Sequence, residues 1–381
     1  DHSKWGRCRS NLAPTKSELS RLVTRLRLES RHPLDEKTPS LKTELKSKLF
    51  HVRVSVDIPP LAHEGIHLNV RKLRLRILTL PELIELGTLS ANAAAFLILC
   101  MTLRLNITIC GEPASGKTTL ANAINLLAPP FWRRIAIEDA LESISVDNWG
   151  RHKVTFKVDP FDSFEEKRNT KSNEIVRLLH RSPDWVFLGE IQTAEHSSAM
   201  FHALSAGIKG IQTCHANSND ELLLRWKIHH KIPEVCFHSL GLLVHMKREI
   251  SLGKISRRVV QISEIKYETD KPALNIIFEW NKRTCELERL HEDIVTPLIK
   301  RACKFEQLTD ACILERFSTY KETLERHVIQ GNYDPVEIMD SFDDAHRQLL
   351  SASQTPRLQK IPLNYTRSER NELIKIRRQD G

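Results

Sequence analysis

The 381-residue sequence predicts an α/β protein: a mostly parallel sheet with helices on both faces, a smaller α+β domain before it and a mostly helical extension after it. Three observations carry this. Between about residues 89 and 266, apolar strand-like runs alternate with helical runs, the pattern of a parallel sheet covered on both sides. Inside that stretch, Gly111-Glu112-Pro113-Ala114-Ser115-Gly116-Lys117-Thr118 spells a full GxxxxGKT phosphate-binding loop, set between the apolar run Leu105–Cys110 and a helix with Leu120, Ile124 and Leu127 on one face. On either side the character changes, to basic alternating segments in front and to a hairpin with long helices behind.

The elements follow in order. Thr15-Lys16-Ser17-Glu18 reads as a capping box, with Thr15 at the N-cap and Glu18 at N3. The helix it opens puts Leu19, Leu22, Val23 and Leu26 on one face and Arg21, Arg25 and Arg27 elsewhere, a basic amphipathic helix suited to packing on its own domain, a membrane or a partner. His51–Ile58 alternates as a strand and Pro59-Pro60 ends it; His67–Thr79 alternates with Arg71, Arg74 and Arg76. Pro81 opens a helical segment, Glu82–Leu86, and Gly87–Ser90 reads as a linker, so the basic first domain with its linker is 1–88. In the core, 89–266, strands are expected at Ile107–Cys110, Arg134–Ile137, Trp185–Leu188, Ile211–Cys214 and Leu242–His245, with helices at 117–127, 172–181, 194–206 and 219–228. A hairpin at 274–289 and helices bearing Phe317, Tyr320, Leu324 and Val328 fill 267–356, and 357–381 is a basic tail.

The net charge of +9 is concentrated in front: residues 1–50 carry 12 Lys/Arg against 6 Asp/Glu, and 51–80 carry 5 against 2. Such a surface suits nucleic acid, anionic lipid or an acidic protein, and charge alone does not choose among them. Eight singly scattered cysteines without a CxxC pair read as reduced thiols in a cytoplasmic protein. The longest apolar run, Ala93–Leu103, is too short for the ~20 residues of a membrane span and reads as a buried helix. No signal peptide is visible, and a chain that begins with Asp1 leaves room for a further N-terminal segment, an anchor among the options.

Chemistry gathers at the predicted strand ends, where ligands of open α/β sheets bind. In the loop, Gly111 and Gly116 let the backbone amides converge on phosphates, Lys117 reaches the β- and γ-phosphates, and Thr118 offers a hydroxyl to Mg²⁺. Glu112, Pro113, Ala114, Ser115 and Thr119 complete the expected nucleotide-binding set. Glu138 and Asp139 follow one strand and suit Mg²⁺ and water positioning, or an ordinary helix cap. Glu190 ends Trp185-Val186-Phe187-Leu188-Gly189-Glu190, where a carboxylate polarises the attacking water. His215 ends a third strand as a sensor of the γ-phosphate.

Together, Gly111–Thr118, Ile137-Glu138-Asp139, Pro183-Asp184 with Gly189-Glu190, and Thr213-Cys214-His215-Ala216-Asn217 resemble the Walker A, Asp, Walker B and His boxes of type II/IV secretion ATPases. Asn69-Val70-Arg71-Lys72, Pro129-Pro130, Asp147-Asn148-Trp149 and Arg257-Arg258-Val259 make the chain look most like archaeal members that serve type IV pili and archaella. The resemblance covers about 55–290 and implies a RecA-like P-loop NTPase core, Mg·ATP hydrolysis with Glu190 as base, and metal ligation by Thr118, Asp139 and Glu190. It also implies a homo-oligomer, a hexameric ring in which Arg71, and less directly Arg74 and Arg76, contact phosphates across a subunit cleft; plain alternation equally makes these arginines the wet face of a strand. The implied function is a motor for filament assembly or secretion, acting with a membrane platform protein at the cytoplasmic face of the membrane, with peripheral membrane contact allowed and no nucleic-acid partner.

Three departures bear on this. Gln192 stands where the family usually has Arg, Ile208 where it has His, and Leu179-His180, with Arg181 one place later, where it has Leu-Arg. A nucleotide-binding ring scaffold without turnover is therefore the first alternative. A DNA translocase, suggested by the basic front end, is the second, and the Asp and His boxes argue against it.

Overall fold

A computed structural model describes residues 11–352 apart from 31, 48, 74–75, 145, 147–148, 159–169, 252–253, 269–270 and 292. Arg74, Asp147, Asn148, Cys8 and the basic tail lie outside the described residues. The chain divides into two compact units, Asp1–Ile77 with Leu252–Ile255, and Leu78–Ser251 with Ser256–Gly381.

In the first unit, helix α1 (Lys16–Ser30) precedes strands β1 (Ser40–Lys46), β2 (His51–Asp57) and β3 (His67–Leu73), which pair antiparallel in the order β1-β2-β3. The capping box is formed: Thr15 N donates to Glu18 Oε2 at 2.8 Å and Glu18 N to Thr15 Oγ1 at 3.3 Å. Of the expected apolar face of α1, Leu26 is buried with Leu41, Val54 and Val56, Val23 packs partly against them, and Leu22 is exposed. Strand β3 stops at Leu73, short of the predicted Thr79; Arg71 is exposed on it, opposite Arg53.

The second unit opens with α2 (Leu80–Glu85) and α3 (Ala91–Thr102), the predicted buried apolar helix, capped by Ser90. There follow β4 (Ile107–Gly111), α4 (Lys117–Leu126), β5 (Arg134–Glu138), β6 (Lys153–Lys157), α5 (Lys171–Arg177), β7 (Trp185–Ile191), α6 (Ala194–Ser205), β8 (Gly210–Cys214) and α7 (Asn219–Leu224). Then come β9 (Leu242–Ser251), β10 (Lys254–Glu268), β11 (Lys271–Asn281), β12 (Glu286–Arg289), α8 (Pro297–Glu306), α9 (Asp310–Ile329) and α10 (Pro335–Ala352). One nine-stranded sheet runs β12-β11-β10-β9-β4-β8-β7-β5-β6. From β9 to β6 it is parallel, and β10-β11-β12 form antiparallel pairs. Strands β4, β5 and β8 are buried along their whole length, and polar side chains among them are paired inside, Gln212 Nε2 donating to Thr108 Oγ1 at 2.7 Å. Among the described residues no helix is long and apolar enough to cross a membrane, and the described cysteines are free thiols.

Helix α9 packs on α2 and α3, and α10 packs on α9. Tyr320 of α9 stacks on Phe342 of α10, and His346 sits beside both. His346 Nε2 donates to Leu127 O at 3.2 Å, leaving Nδ1 to accept from Tyr320 Oη at 3.2 Å. Burial moves this imidazole from its ordinary 6.5 down to about 4; the Leu127 carbonyl and Asp343 resist the shift, while Arg151 and Arg316 assist it. Since the unfolded chain takes up the proton first, stability falls as pH drops from about 6.5 towards 4, by roughly 3 kcal/mol from this group. Urea unfolding at pH 7 and pH 4.5 is expected to show a smaller acid loss in His346→Gln than in the parent; equal losses would remove His346 from the account.

Candidate active site

Four strand ends converge at one edge of the sheet. The phosphate loop follows β4, Asp139 follows β5, Glu190 lies near the end of β7, and His215 follows β8; β4, β8, β7 and β5 are successive neighbours.

The loop's shape is imposed locally. A Cβ on Gly111, at φ +156°, would stand 2.3 Å from the Met246 carbonyl oxygen and 2.7 Å from Ser115 Oγ, so the close approach of β4 to β9 requires glycine. Ala114 at φ 62° and Gly116 at φ +99° give two left-handed turns, which aim successive amides into one concavity at the head of α4. The Ser115 hydroxyl is buried there with no hydrogen-bond partner. From β10, Arg257 Nε donates to Ala114 O at 2.8 Å, and from β9, Arg248 N donates to Glu112 Oε1 at 3.0 Å.

Lys117 is buried and its ammonium donates to Gly111 O at 2.9 Å and Glu112 O at 3.0 Å, with His215 Nδ1 at 3.2 Å. His215 therefore accepts at Nδ1 and donates from Nε2 to Glu190 Oε1. Gln192 Nε2 donates to the other oxygen of the same carboxylate, Oε2. Glu190 owes this orientation to an irregularity in β7: Leu188 faces Gln212 and Glu190 faces Thr213, so Gly189 is the extra residue of a bulge that re-aims the next side chain. A Cβ at Gly189 would lie 3.1 Å from Ile137 O, a tight fit beside β5.

The two acids at the end of β5 take different partners. Glu138, almost fully buried, receives the amides of Ser143 at 2.8 Å and Glu142 at 3.2 Å, and the Ser143 hydroxyl. Burial pushes its carboxyl up, against these hydrogen bonds and the charge of Lys153. It thus organises its own loop. Asp139 pairs with Lys171 at 3.2 Å, and the same ammonium donates to Glu190 O at 2.7 Å. Lys171, buried at the head of α5, ties the two acidic strand ends together.

Sequence reasoning did not single out Lys171, Arg225 or a holding role for Gln192. Lys171 offers no local signal, its partners being 32 and 19 residues away. Besides Gln192, the other two departures have structural seats: Ile208 packs on the apolar core, and in the third Arg181 lies over the Phe156 ring and pairs with Glu174 while His180 is exposed. Thr118 and Thr119 lie in the first turn of α4, and Pro113 in the loop ahead of it.

Against known proteins, residues 5–241 match the profile of the Type II/IV secretion system protein family. The chain belongs to this family. An uncharacterized protein of Methanocaldococcus jannaschii is 28% identical over 250 residues, 64% of this chain and 89% of its own length. The type IV secretion system protein PtlH of Bordetella pertussis is 29% identical over 195 residues, 45% of this chain and 57% of PtlH. A second M. jannaschii relative is matched over 52% of its length, so the chain spans about half of that protein. The crystal structure of the Legionella pneumophila ATPase DotB resembles the fold with a TM-score of 0.46 at 14% identity, covering 83% of this chain and 77% of DotB.

Proposed function

We propose that this family member hydrolyses ATP with Mg²⁺ at the phosphate loop ahead of α4, as one subunit of a homo-oligomeric ring. Turnover then powers filament assembly or protein secretion, with a membrane platform protein as partner at the cytoplasmic face. The observation that carries the reading is the unbroken set of contacts Lys117–His215–Glu190, which joins the phosphate loop to a carboxylate through one imidazole.

The residues fit a nucleoside triphosphate. Left-handed turns at Ala114 and Gly116, the unpartnered Ser115 hydroxyl and the head of α4 form a donor-rich concavity with a buried ammonium beside it. Mg²⁺, when bound, neutralises charge on the phosphates, and Thr118, Asp139 and Glu190 are the residues proposed to hold it. Lys117 binds phosphate, His215 reports its presence to Glu190, and Glu190 orients water. Arg71, exposed on β3, is the proposed cation from a neighbouring subunit.

Phosphate release measured across protein concentrations tests this. Specific activity is expected to rise with concentration, and Lys117→Ala to lose both nucleotide binding and turnover. Tight nucleotide binding by the parent without phosphate release would favour the second reading, a non-hydrolysing ring member, for which Gln192 in place of the family's arginine is the supporting observation.

A further inference from the structure

We infer that Arg225 is a positioning residue of this site: one guanidinium holds the two strand ends whose side chains grip the Glu190 carboxylate. The inference rests on the hydrolytic reading above and names a residue that reading does not use.

The geometry is specific. Arg225 Nη1 donates to His215 O at 2.7 Å and Nη2 to Gln192 O at 2.8 Å. Those carbonyls belong to the two residues whose side chains meet Glu190, His215 at Oε1 and Gln192 at Oε2. His215 follows β8 and Gln192 follows β7, so nothing in the ladder beyond Ile191 and Cys214 fixes their separation. A planar fork with two parallel N–H groups does fix it, and a lysine ammonium, a single rotatable point, does not.

Arg225 is itself held in place. Helix α7 ends at Leu224 and the chain continues as a π-helical turn, Arg225–His229, a geometry often found at functional sites. The next residue, Trp226, is buried against Phe201 and Phe237, with ring centroids 5.1 and 6.2 Å apart, and its carbonyl accepts from Ile232 N at 2.9 Å. An anchored tryptophan thus sets the direction in which its neighbour projects. The Arg225 side chain forms one wall of a cleft of about 460 Å³, whose other walls include Glu112 and Pro113 of the phosphate loop, His215 and Asn217. The clamp and the nucleotide loop share this cleft.

The test compares the full chain with Arg225→Lys, Arg225→Ala and Arg225→Gln. If the clamp positions the hydrolytic pair, kcat falls about ten- to a hundredfold while KM for ATP changes little, since a group displaced by about 1 Å can cost a hundredfold. Arg225→Lys keeps the charge and stays impaired, and millimolar guanidinium restores turnover to Arg225→Ala. The imidazole Nε2–H resonance of His215, assigned with His215→Gln, shifts in the folded Arg225→Gln protein. An unmoved resonance overturns the clamp whether or not the parent turns over ATP; a moved resonance in a parent without turnover upholds the clamp and overturns only the hydrolytic reading. Wild-type kcat in all three variants would also overturn it.

Discussion

Replacing Glu190 with Gln is expected to lower turnover by about a hundred- to ten-thousandfold, the usual contribution of a positioned acid–base group, with nucleotide affinity nearly unchanged. The separation follows from where the charges sit. On the proposed reading, phosphate affinity belongs to Lys117 and the loop amides, and Glu190 adds at most one contact to the metal; Lys117 meets the imidazole and the loop carbonyls and not the carboxylate. Burial works to raise the Glu190 carboxyl, but the hydrogen bonds from the His215 imidazole and the Gln192 amide, with the nearby Lys117 ammonium, outweigh it and bring it to about 2. A carboxyl depressed in this way stabilises the fold above its ordinary range near 4.3, and that contribution is lost as pH falls towards 2. Between pH 5 and pH 8 Glu190 is ionised throughout, so it contributes no limb to a pH–rate profile there. Fluorescent-nucleotide binding beside phosphate release checks the separation: a Glu190→Gln protein with parental turnover would deny Glu190 the role, and one that cannot bind nucleotide would mean that the carboxylate supports the loop.

The same contacts bear on turnover. In the structure both oxygens of Glu190 are taken, one by His215 and one by Gln192, and a carboxyl near 2 is a weak proton acceptor. Each oxygen keeps a second lone pair for water, and releasing one of the present contacts makes the carboxylate a stronger acceptor. His215 is the contact in reach of such a change, because its other nitrogen meets Lys117, the group proposed to answer to phosphate. Gln192 and the Arg225 fork then keep the second oxygen in place. On this argument Gln192 is a working part of the site and more than the mark of a missing arginine.

Much of the core was legible because its strands are buried on both faces. Ile107–Cys110, Arg134–Ile137 and Ile211–Cys214 are rich in Ile and Cys and each leads into a motif residue, which made them readable although Thr108, Arg134, Gln212 and Thr213 are polar. Strand β1, Ser-Leu-Lys-Thr-Glu-Leu-Lys, and strand β6, Lys-Val-Thr-Phe-Lys, lie at sheet edges, where alternate residues meet water, and their polar composition hid them. The helix expected over 219–228 breaks at Leu224 into a π turn, because packing of Trp226 on Phe201 and Phe237 overrides local propensity. At the site, the motif residues Lys117, Glu190 and His215 lie in one chain of contacts, and their convergence was readable from their places at strand ends. The side chains that hold them were not. Arg225 grips residues 10 and 33 positions away and Arg257 reaches the loop across 143, distances over which no sequence periodicity carries information.

Asp343→Ala is expected to destabilise the larger unit by about 3–5 kcal/mol, a large share of the roughly 5–15 kcal/mol that holds a domain folded. Asp343 on α10 pairs with Arg151, just ahead of β6, at 2.7 Å, and the two side chains are 3% and 1% exposed. The same guanidinium donates from Nη1 to Ala128 O at 3.0 Å, beyond the end of α4. One buried ion pair thus joins the last helix to the segments that follow α4 and precede β6. Removing the carboxylate leaves a desolvated guanidinium with its main counter-charge gone, and that penalty, more than the lost attraction, sets the size of the effect. Asp343→Asn keeps an acceptor and should lose less. Pairing Asp343→Leu with Arg151→Met removes both charges and should recover much of the stability, giving a positive coupling in a double-mutant cycle. Urea unfolding of the parent, Asp343→Leu, Arg151→Met and the double variant decides the coupling. Additive losses would show that the two side chains act independently, and an Asp343→Ala protein within about 1 kcal/mol of the parent would show that the pair does not hold α10 to the core.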